Sequence, residues 1–253
     1  MIDIATIILL SIFQGLFEWL PVSSEGVSIF LMVNVFNVDP TPALTYSIFL
    51  HIGTMLAVLV KFRREFFKML QLRDSSLLSL VVVATLFTAL TAIPILNTLR
   101  EFNNGELVNL LIGVMLIVTG LVLRLPKTGM RHLYDFRLKE AALLGLVQGF
   151  AIIPGISRSG VTVSFLLLRK LNEEEALKLS FIISVPAVFG AALINGLPAN
   201  VTVTSSILGL VVAFVVGYIT IDLLLNFARR SNFSLFCIVF GLLSIITTLL
   251  LVF

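Results

Sequence analysis

The sequence has few charged residues. Asp, Glu, Lys and Arg make up 12% of its 253 residues, whereas 58% are hydrophobic. Soluble domains carry about 25% charged residues, so the composition excludes an ordinary soluble protein and indicates a polytopic membrane protein. A helical bundle of this length forms one domain, and we expect residues 1–253 to be a single membrane domain.

Cysteine and clustered positive charge are also scarce. Cys237 is the only cysteine, which excludes an internal disulfide bond. The net charge is +3, and no basic patch is interleaved with aromatic residues. Nucleic acid is therefore not expected as a partner.

Six long apolar runs predict transmembrane helices, because about 20 residues are needed to cross the hydrocarbon core. They lie at about 43–62, 75–96, 106–124, 176–195, 205–226 and 233–252. Two other apolar regions are interrupted by polar turns, one between 3–20 and 27–36 and one between 138–153 and 161–170. These pairs favour re-entrant helical hairpins buried in the protein, and two Pro-kinked helices are the alternative.

The basic residues predict the orientation in the plasma membrane. All lysines and arginines except Arg100 and Arg158 fall beside loops that alternating spans place on one side. The positive-inside rule assigns that side to the cytoplasm, which puts both termini outside. The two hairpins then enter from opposite sides and each precedes three spans. The expected fold is all-α with an inverted-topology repeat, whose halves cover about 1–125 and 138–253.

The polar turns Pro21–Gly26 and Pro154–Gly160 carry the residues that suggest chemistry. Arg158 lies in apolar sequence, where a functional role is the default hypothesis for a charge. Ser157, Arg158 and Ser159 precede a predicted helix whose N-terminus would hold phosphate or another anion. The structural alternative is a capped helix start whose arginine pairs with a buried carboxylate.

Two acidic residues, Glu18 and Glu25, lie near the first turn, and Gln14 is one helical turn before Glu18. A carboxylate beside Arg158 would bind a divalent ion, act as a general base, or only neutralise the arginine. We interpret His51 as a hydrogen-bonded interior residue in preference to a ligand or proton carrier.

Two segments, Gln14–Gly26 and Gln148–Gly160, resemble the signature segments of the undecaprenyl-diphosphate phosphatase (bacitracin-resistance) family, and Ser180–Pro186 resembles the stretch that follows them. The similarity covers nearly the whole chain. It implies an integral-membrane hydrolase of the cell envelope with two re-entrant hairpins. Such enzymes convert a polyprenyl diphosphate to the monophosphate carrier lipid, usually with a divalent cation such as Mg or Ca.

The resemblance also implies roles for individual positions. Glu18 matches the second acid of the family's paired-acid motif, and Ser24 matches its reactive serine. Gln14 stands where the family has the first acid, and Val27 where it usually has a histidine. Glu25 occupies a position that is more often small or hydroxylic, and we expect it to compensate for the altered acid pair; the alternative is a solvated residue at the outer mouth without a role.

The residues of the two polar turns form the predicted site. The predicted catalytic residues are Glu18, Ser24 and Arg158, the predicted substrate-binding residues are Gln14, Ser23, Glu25, Ser157, Ser159 and Gly160, and the predicted metal ligands are Glu18 and Glu25. The expected partners are a polyprenyl diphosphate and the bilayer, with an oligomer left open. The alternatives to hydrolysis are a polyprenyl-phosphate flippase, which would need the same anion clamp, and a lipid-phosphate binder without activity.

Overall fold

The computed structural model describes residues 4–101, 104–124, 130–196, 198, 202–230 and 233–252. Over these residues the chain is helical apart from turns and one isolated bridge between Arg131 and Leu171. The helices are α1 (Ile4–Phe17), α2 (Ser24–Asn34), α3 (Pro40–Lys61), α4 (Arg63–Leu70), α5 (Ser75–Leu99), α6 (Gly105–Val122), α7 (Leu138–Gly149), α8 (Arg158–Leu168), α9 (Glu173–Asn195), α10 (Val203–Arg230) and α11 (Phe233–Val252).

Five helices are long and apolar enough to cross a membrane, namely α3, α5, α6, α9 and the Val203–Leu223 part of α10. They match five of the six predicted spans. The sixth predicted span corresponds to α11, in which the apolar stretch found among the described residues is the shorter Ser234–Ile246. The protein is therefore an all-α polytopic membrane protein.

Two pairs of short helices, α1 with α2 and α7 with α8, stand at the positions of the predicted hairpins. Helices of 11 to 14 residues extend for about 17–21 Å, which is less than the hydrocarbon core of about 30 Å. None of the four helices can cross the membrane alone. Their lengths therefore favour hairpins over full spans.

The helix contacts made by the first half of the chain are matched by equivalent contacts of the second half. Helix α1 packs on α10, and α7 packs in the same way on α5. Likewise α3 packs on α10 and α9 packs on α5, while α3 contacts α9 and α6 contacts α11. Exchanging the halves leaves this set of contacts unchanged, as an inverted repeat would require. The opposite orientation of the halves in the membrane stays a prediction.

Close helix approach explains the glycine that follows the glutamine in each signature segment. A Cβ at Gly15 would lie 2.9 Å from the backbone nitrogen of Gly217 in α10, and a Cβ at Gly149 would lie 2.8 Å from the carbonyl oxygen of Thr88 in α5. Any larger residue would push the hairpin away from its supporting helix. The two glycines thus allow each hairpin to pack closely on its supporting helix.

An ion-pair cluster closes the base of the second hairpin. Arg131 donates from Nη1 and Nη2 to the two carboxylate oxygens of Glu140, at 3.0 and 3.1 Å. Its Nη1 also donates to the carbonyl oxygen of Arg169 at 2.9 Å. Because Glu140 lies in the first turn of α7 and Arg169 follows α8, this arginine joins the two ends of the hairpin.

Candidate active site

The tips of the two hairpins meet and are hydrogen-bonded to each other. Ser23 Oγ accepts the N–H of Gly26 at 3.0 Å and the N–H of Gly155 at 3.1 Å. From the opposite tip, Ser159 Oγ donates to the carbonyl oxygen of Leu20 at 3.2 Å. A Cβ at Gly26 would lie only 2.8 Å from the backbone nitrogen of Gly155, so glycine is needed for the tips to approach.

The two tips have the same local construction. Ser157 Oγ accepts the N–H of Gly160 at 3.1 Å and caps α8, just as Ser23 caps α2. Ser24 and Arg158 are therefore equivalent positions, each being the first residue of its helix. Since the first N–H groups of a helix have no intrahelical partner, both tips direct backbone donors and a positive dipole end toward the meeting point.

Glu18 lies at the centre of the side-chain network. Its Oε1 pairs with Nη2 of Arg158. Its Oε2 accepts from Nε2 of Gln14 and from Oγ of Ser24, both at 3.0 Å, and lies 3.3 Å from Nε2 of His51. Glu18 is only 8% exposed. Four side chains thus compensate the cost of burying this carboxylate.

Arg158 is held on two further sides. Its Nη1 donates to the carbonyl oxygen of Ser180 at 3.3 Å, and its guanidinium lies 5.5 Å from the ring centroid of Phe181. Phe181 in turn packs edge-on against Trp19 at 5.4 Å. Cation–π contact and ion pairing together stabilise a guanidinium at this depth. Ser180 and Phe181, the first two residues of the segment Ser180–Pro186, thus contact the guanidinium of Arg158.

A polar cavity and an apolar cavity join at this network. The polar cavity has a volume of about 30 Å³ and is lined by Glu18, Val22, Ser23, Ser24, Glu25, His51, Ala151, Ile156, Ser157, Arg158 and Ser159. The apolar cavity, of about 160 Å³, lies between α5 and α9 and also contains Glu25, His51 and Arg158 in its wall. The site therefore suits a ligand with an anionic end and an apolar end.

Glu25 has an open hydrogen-bonding position. It is 7% exposed, and no partner reaches its Oε1 within the described part of the chain. A buried carboxylate oxygen without a partner is costly, and Glu25 lines both cavities. The oxygen is therefore placed to contact a ligand.

The predicted divalent cation can be compared with the carboxylates that the site offers. The described residues contain no group of three or more His, Cys, Asp and Glu side chains that would form a cage for a metal. Magnesium, however, is commonly held by one or two carboxylates together with substrate phosphates. Glu25, whose Oε1 has no partner within the described residues, fits that second mode of binding, whereas Glu18 would have to release one of its protein partners to join it.

Most of the predicted site residues surround one cavity. Glu18 contacts both Ser24 and Arg158. The predicted substrate-binding residues in the cavity wall are Ser23, Glu25, Ser157 and Ser159. Two predicted substrate-binding residues do not line it. Gln14 supports Glu18 from behind, and the N–H of Gly160 is occupied by the cap at Ser157.

His51 also lines the polar cavity, although the sequence favoured an interior residue without a role in the site. It is hydrogen-bonded as expected, with Nδ1 2.8 Å from the carbonyl oxygen of Ser47, but its other nitrogen faces the site. Nε2 lies 3.5 Å from Ser24 Oγ. Thr54, one turn further along α3, accepts from Nε2 of Gln14 at 3.3 Å. The sequence signal was this polar pair on one face of an otherwise apolar helix.

The fold and the site define a membrane-embedded protein that holds a serine, a carboxylate and an arginine where a polar cavity meets an apolar one. The sequence profile of the family described as "Bacitracin resistance protein BacA" matches residues 7–246, and the chain belongs to that family. It is 45% identical to the undecaprenyl-diphosphatase of Methanothrix thermoacetophila over 252 residues, covering 98% of both chains. It is also similar to the proteins of the same name from Methanococcoides burtonii, at 39% identity over 99% of this chain and 100% of the relative, and Methanopyrus kandleri, at 37% over 98% and 97%.

Proposed function

We infer that this protein hydrolyses a polyprenyl diphosphate of the undecaprenyl type to the monophosphate carrier lipid and inorganic phosphate. The observation that carries this proposal is the convergence of Glu18, Ser24 and Arg158 at the junction of the two cavities. The name shared by the relatives favours hydrolysis over transport or binding alone.

The diphosphate would lie between the starts of α2 and α8. Arg158 supplies a planar fork suited to phosphate oxygens, and it stands at the N-terminus of α8. Ser24 stands at the N-terminus of α2 on the other side of the same cavity. Donors on both sides would stabilise the negative charge that develops as the bond between the terminal phosphorus and the bridging oxygen breaks.

Ser24 is the nucleophile that the geometry favours: its Oγ would bond to the terminal phosphorus as the bond to the bridging oxygen breaks and the lipid monophosphate leaves, and water would then hydrolyse the phosphoserine to inorganic phosphate. The Ser24 hydroxyl lies between Oε2 of Glu18 and Nε2 of His51. The one proton of Ser24 Oγ is donated to Oε2 of Glu18 at 3.0 Å, whereas Nε2 of His51 is 3.5 Å away, so Glu18 is better placed to accept that proton. Nδ1 of His51 donates to the carbonyl oxygen of Ser47, because a backbone carbonyl can only accept a hydrogen bond. Nε2 of the same ring lies 3.3 Å from Oε2 of Glu18, where it would stabilise the carboxylate.

A divalent cation, Mg or Ca, would be held by Glu18 and Glu25 together with the diphosphate. When bound, it would neutralise phosphate charge and polarise the phosphorus–oxygen bond. Arg158 offsets the charge of one of the two carboxylates. The remaining negative charge is what would attract the cation to the loaded site.

Both termini are proposed to lie outside the plasma membrane. The support is the distribution of lysine and arginine, which places the loops at either end of α4, before α7 and before α9 in the cytoplasm. The polar turn of the first hairpin would then be reached from the outer side.

Phosphate release from undecaprenyl diphosphate in detergent micelles tests the proposed function. We expect Arg158→Ala to lower kcat/KM by about 100-fold or more, because a charge-stabilising donor is lost. Arg158→Lys should restore little, because ammonium lacks the bidentate fork. Arg73→Ala, at an exposed loop position, is the matched control. Wild-type turnover in Arg158→Ala would refute the role, and lipid movement across sealed vesicles without phosphate release would indicate a flippase.

The role of His51 is tested by His51→Gln, which keeps a hydrogen-bonding side chain but cannot carry a positive charge beside Glu18. We expect kcat to fall by about tenfold, because a neutral hydrogen bond to a carboxylate is weaker than a charged one, with a smaller change in KM. His132, the other histidine of the chain, lies in the loop before α7, and His132→Gln should leave kcat unchanged. An unchanged kcat in His51→Gln would remove His51 from the mechanism.

The altered acid pair is tested at Glu25 and Gln14. Glu25→Gln should lower activity and raise the Mg²⁺ concentration needed for half-maximal rate, because one oxygen ligand with its charge is lost. Gln14→Glu should leave activity intact or raise it. Glu106→Gln, at an exposed acid on α6, is the control. Full activity with unchanged Mg²⁺ dependence in Glu25→Gln would show that Glu25 has no role in cation binding.

The proposed orientation is tested by labelling single cysteines in a Cys237→Ser background. Asp39→Cys lies in the predicted outer loop and Glu174→Cys lies at the start of α9 on the predicted inner side, and both positions are exposed. A membrane-impermeant thiol reagent should label residue 39 in intact cells and residue 174 only after lysis. The reverse pattern would invert the topology.

A further inference from the structure

Helix α4 connects two membrane spans at the surface of the bilayer. Helix α3 ends at Lys61, α4 begins at Arg63, and α5 begins at Ser75. Both α3 and α5 are long and apolar enough to cross the membrane. The eight-residue helix between their ends therefore lies at the level of the lipid headgroups. Its exposed side chains meet the membrane interface.

One side of α4 packs on the protein. Met69 is 4% exposed and belongs to the same core cluster as Leu77 of α5, and Phe66 packs against that cluster. The carboxylate of Glu65 pairs with Nζ of Lys178 in α9 at 2.6 Å. These contacts fix how the helix is rotated about its own axis.

A second side of α4 exposes large apolar side chains. Phe67 and Leu70 are three residues apart, so they lie on one face of the helix, and they are 61% and 80% exposed. Leu72, in the turn that follows, is 70% exposed. With about 3.6 residues per turn, this apolar face lies between the packed side and the side that carries Arg64 and Lys68. A helix with adjoining apolar and basic faces suits the boundary between headgroups and acyl chains.

The segment 61–73 has an excess of positive charge. Its basic residues are Lys61, Arg63, Arg64, Lys68 and Arg73. Lys61 pairs with Asp222, and the other four form no salt bridge with any of the described residues. The one acidic residue of the segment, Glu65, is already paired with α9. A cluster of lysine and arginine beside the end of a membrane span attracts anionic lipid headgroups.

We propose that α4 is a membrane-surface helix that binds anionic lipid headgroups. Phe67 and Leu70 enter the acyl boundary, while Arg64 and Lys68 contact the phosphates. The occupant is a lipid because α4 is joined at both ends to membrane spans and its exposed faces match a lipid in both polarity and charge. The proposed orientation makes this the cytoplasmic leaflet. Lipid binding at α4 is separate from the site at the hairpin tips and does not depend on hydrolysis.

Fluorescence quenching in lipid vesicles tests this role of α4. Leu70→Cys in the Cys237→Ser background would be labelled with bimane and reconstituted in phosphatidylcholine at low salt. Brominated phosphatidylglycerol should quench the label at a lower mole fraction than brominated phosphatidylcholine. Lys68→Gln should reduce this preference about fivefold, the effect of one basic residue near an anionic surface. Lys139→Gln, which removes an exposed charge at the start of α7, is the matched control and should not change it.

The unfolding temperature in detergent should be unchanged in Lys68→Gln, which confirms the fold without relying on phosphate release. Equal quenching by the two brominated lipids would overturn the recognition of anionic headgroups. Quenching of the label by aqueous iodide but not by brominated chains would overturn the membrane-surface position and indicate a soluble partner. Disulfide cross-linking of unlabelled Leu70→Cys between two copies, without lipid quenching, would assign this face to self-association instead.

Discussion

The buried ion pair between Glu18 and Arg158 is the interaction on which the rest of the site depends. It joins the end of the first hairpin's entering helix to the start of α8, so it bonds the two hairpins where they meet. Removing one partner of a buried pair typically costs about 3–5 kcal/mol, because the other charge is left uncompensated. The Ser23–Gly155 bond and the glycine contact at Gly26 hold the same junction without charge. The tips are therefore joined by one charged contact and one neutral contact.

The helical architecture could be predicted because its determinants are local. Length and apolarity alone located five spans, and the short apolar segments beside Pro21 and Pro154 gave both helix pairs. Span ends shifted by a few residues; α3, for example, starts at Pro40, a favoured first-turn residue, and not near residue 43. The amphipathic helix α4 was missed because its basic residues were interpreted only as a loop signal.

The site could be predicted only in part. Arg158 and Glu18 stand out because charge in apolar sequence is rare, and the meeting of the two turns follows from a repeat. His51 could not be assigned from sequence, because an interior histidine is equally consistent with simple hydrogen bonding until its second nitrogen is located. The residues that line the apolar cavity could not be located from sequence, because alanines and a glycine within apolar helices indicate close packing as readily as an open space.

The two hairpin tips have the same construction but carry different side chains. Ser24 and Arg158 occupy the same position in their respective hairpins, one as a hydroxyl and the other as a cation. Two identical chains related by a twofold axis would place the same side chain at both positions, giving two serines or two arginines but never one of each. Joining both hairpins in a single chain removes that restriction. Covalent linkage of the halves is thus what permits the two tips to carry different side chains, a hydroxyl at one and a cation at the other.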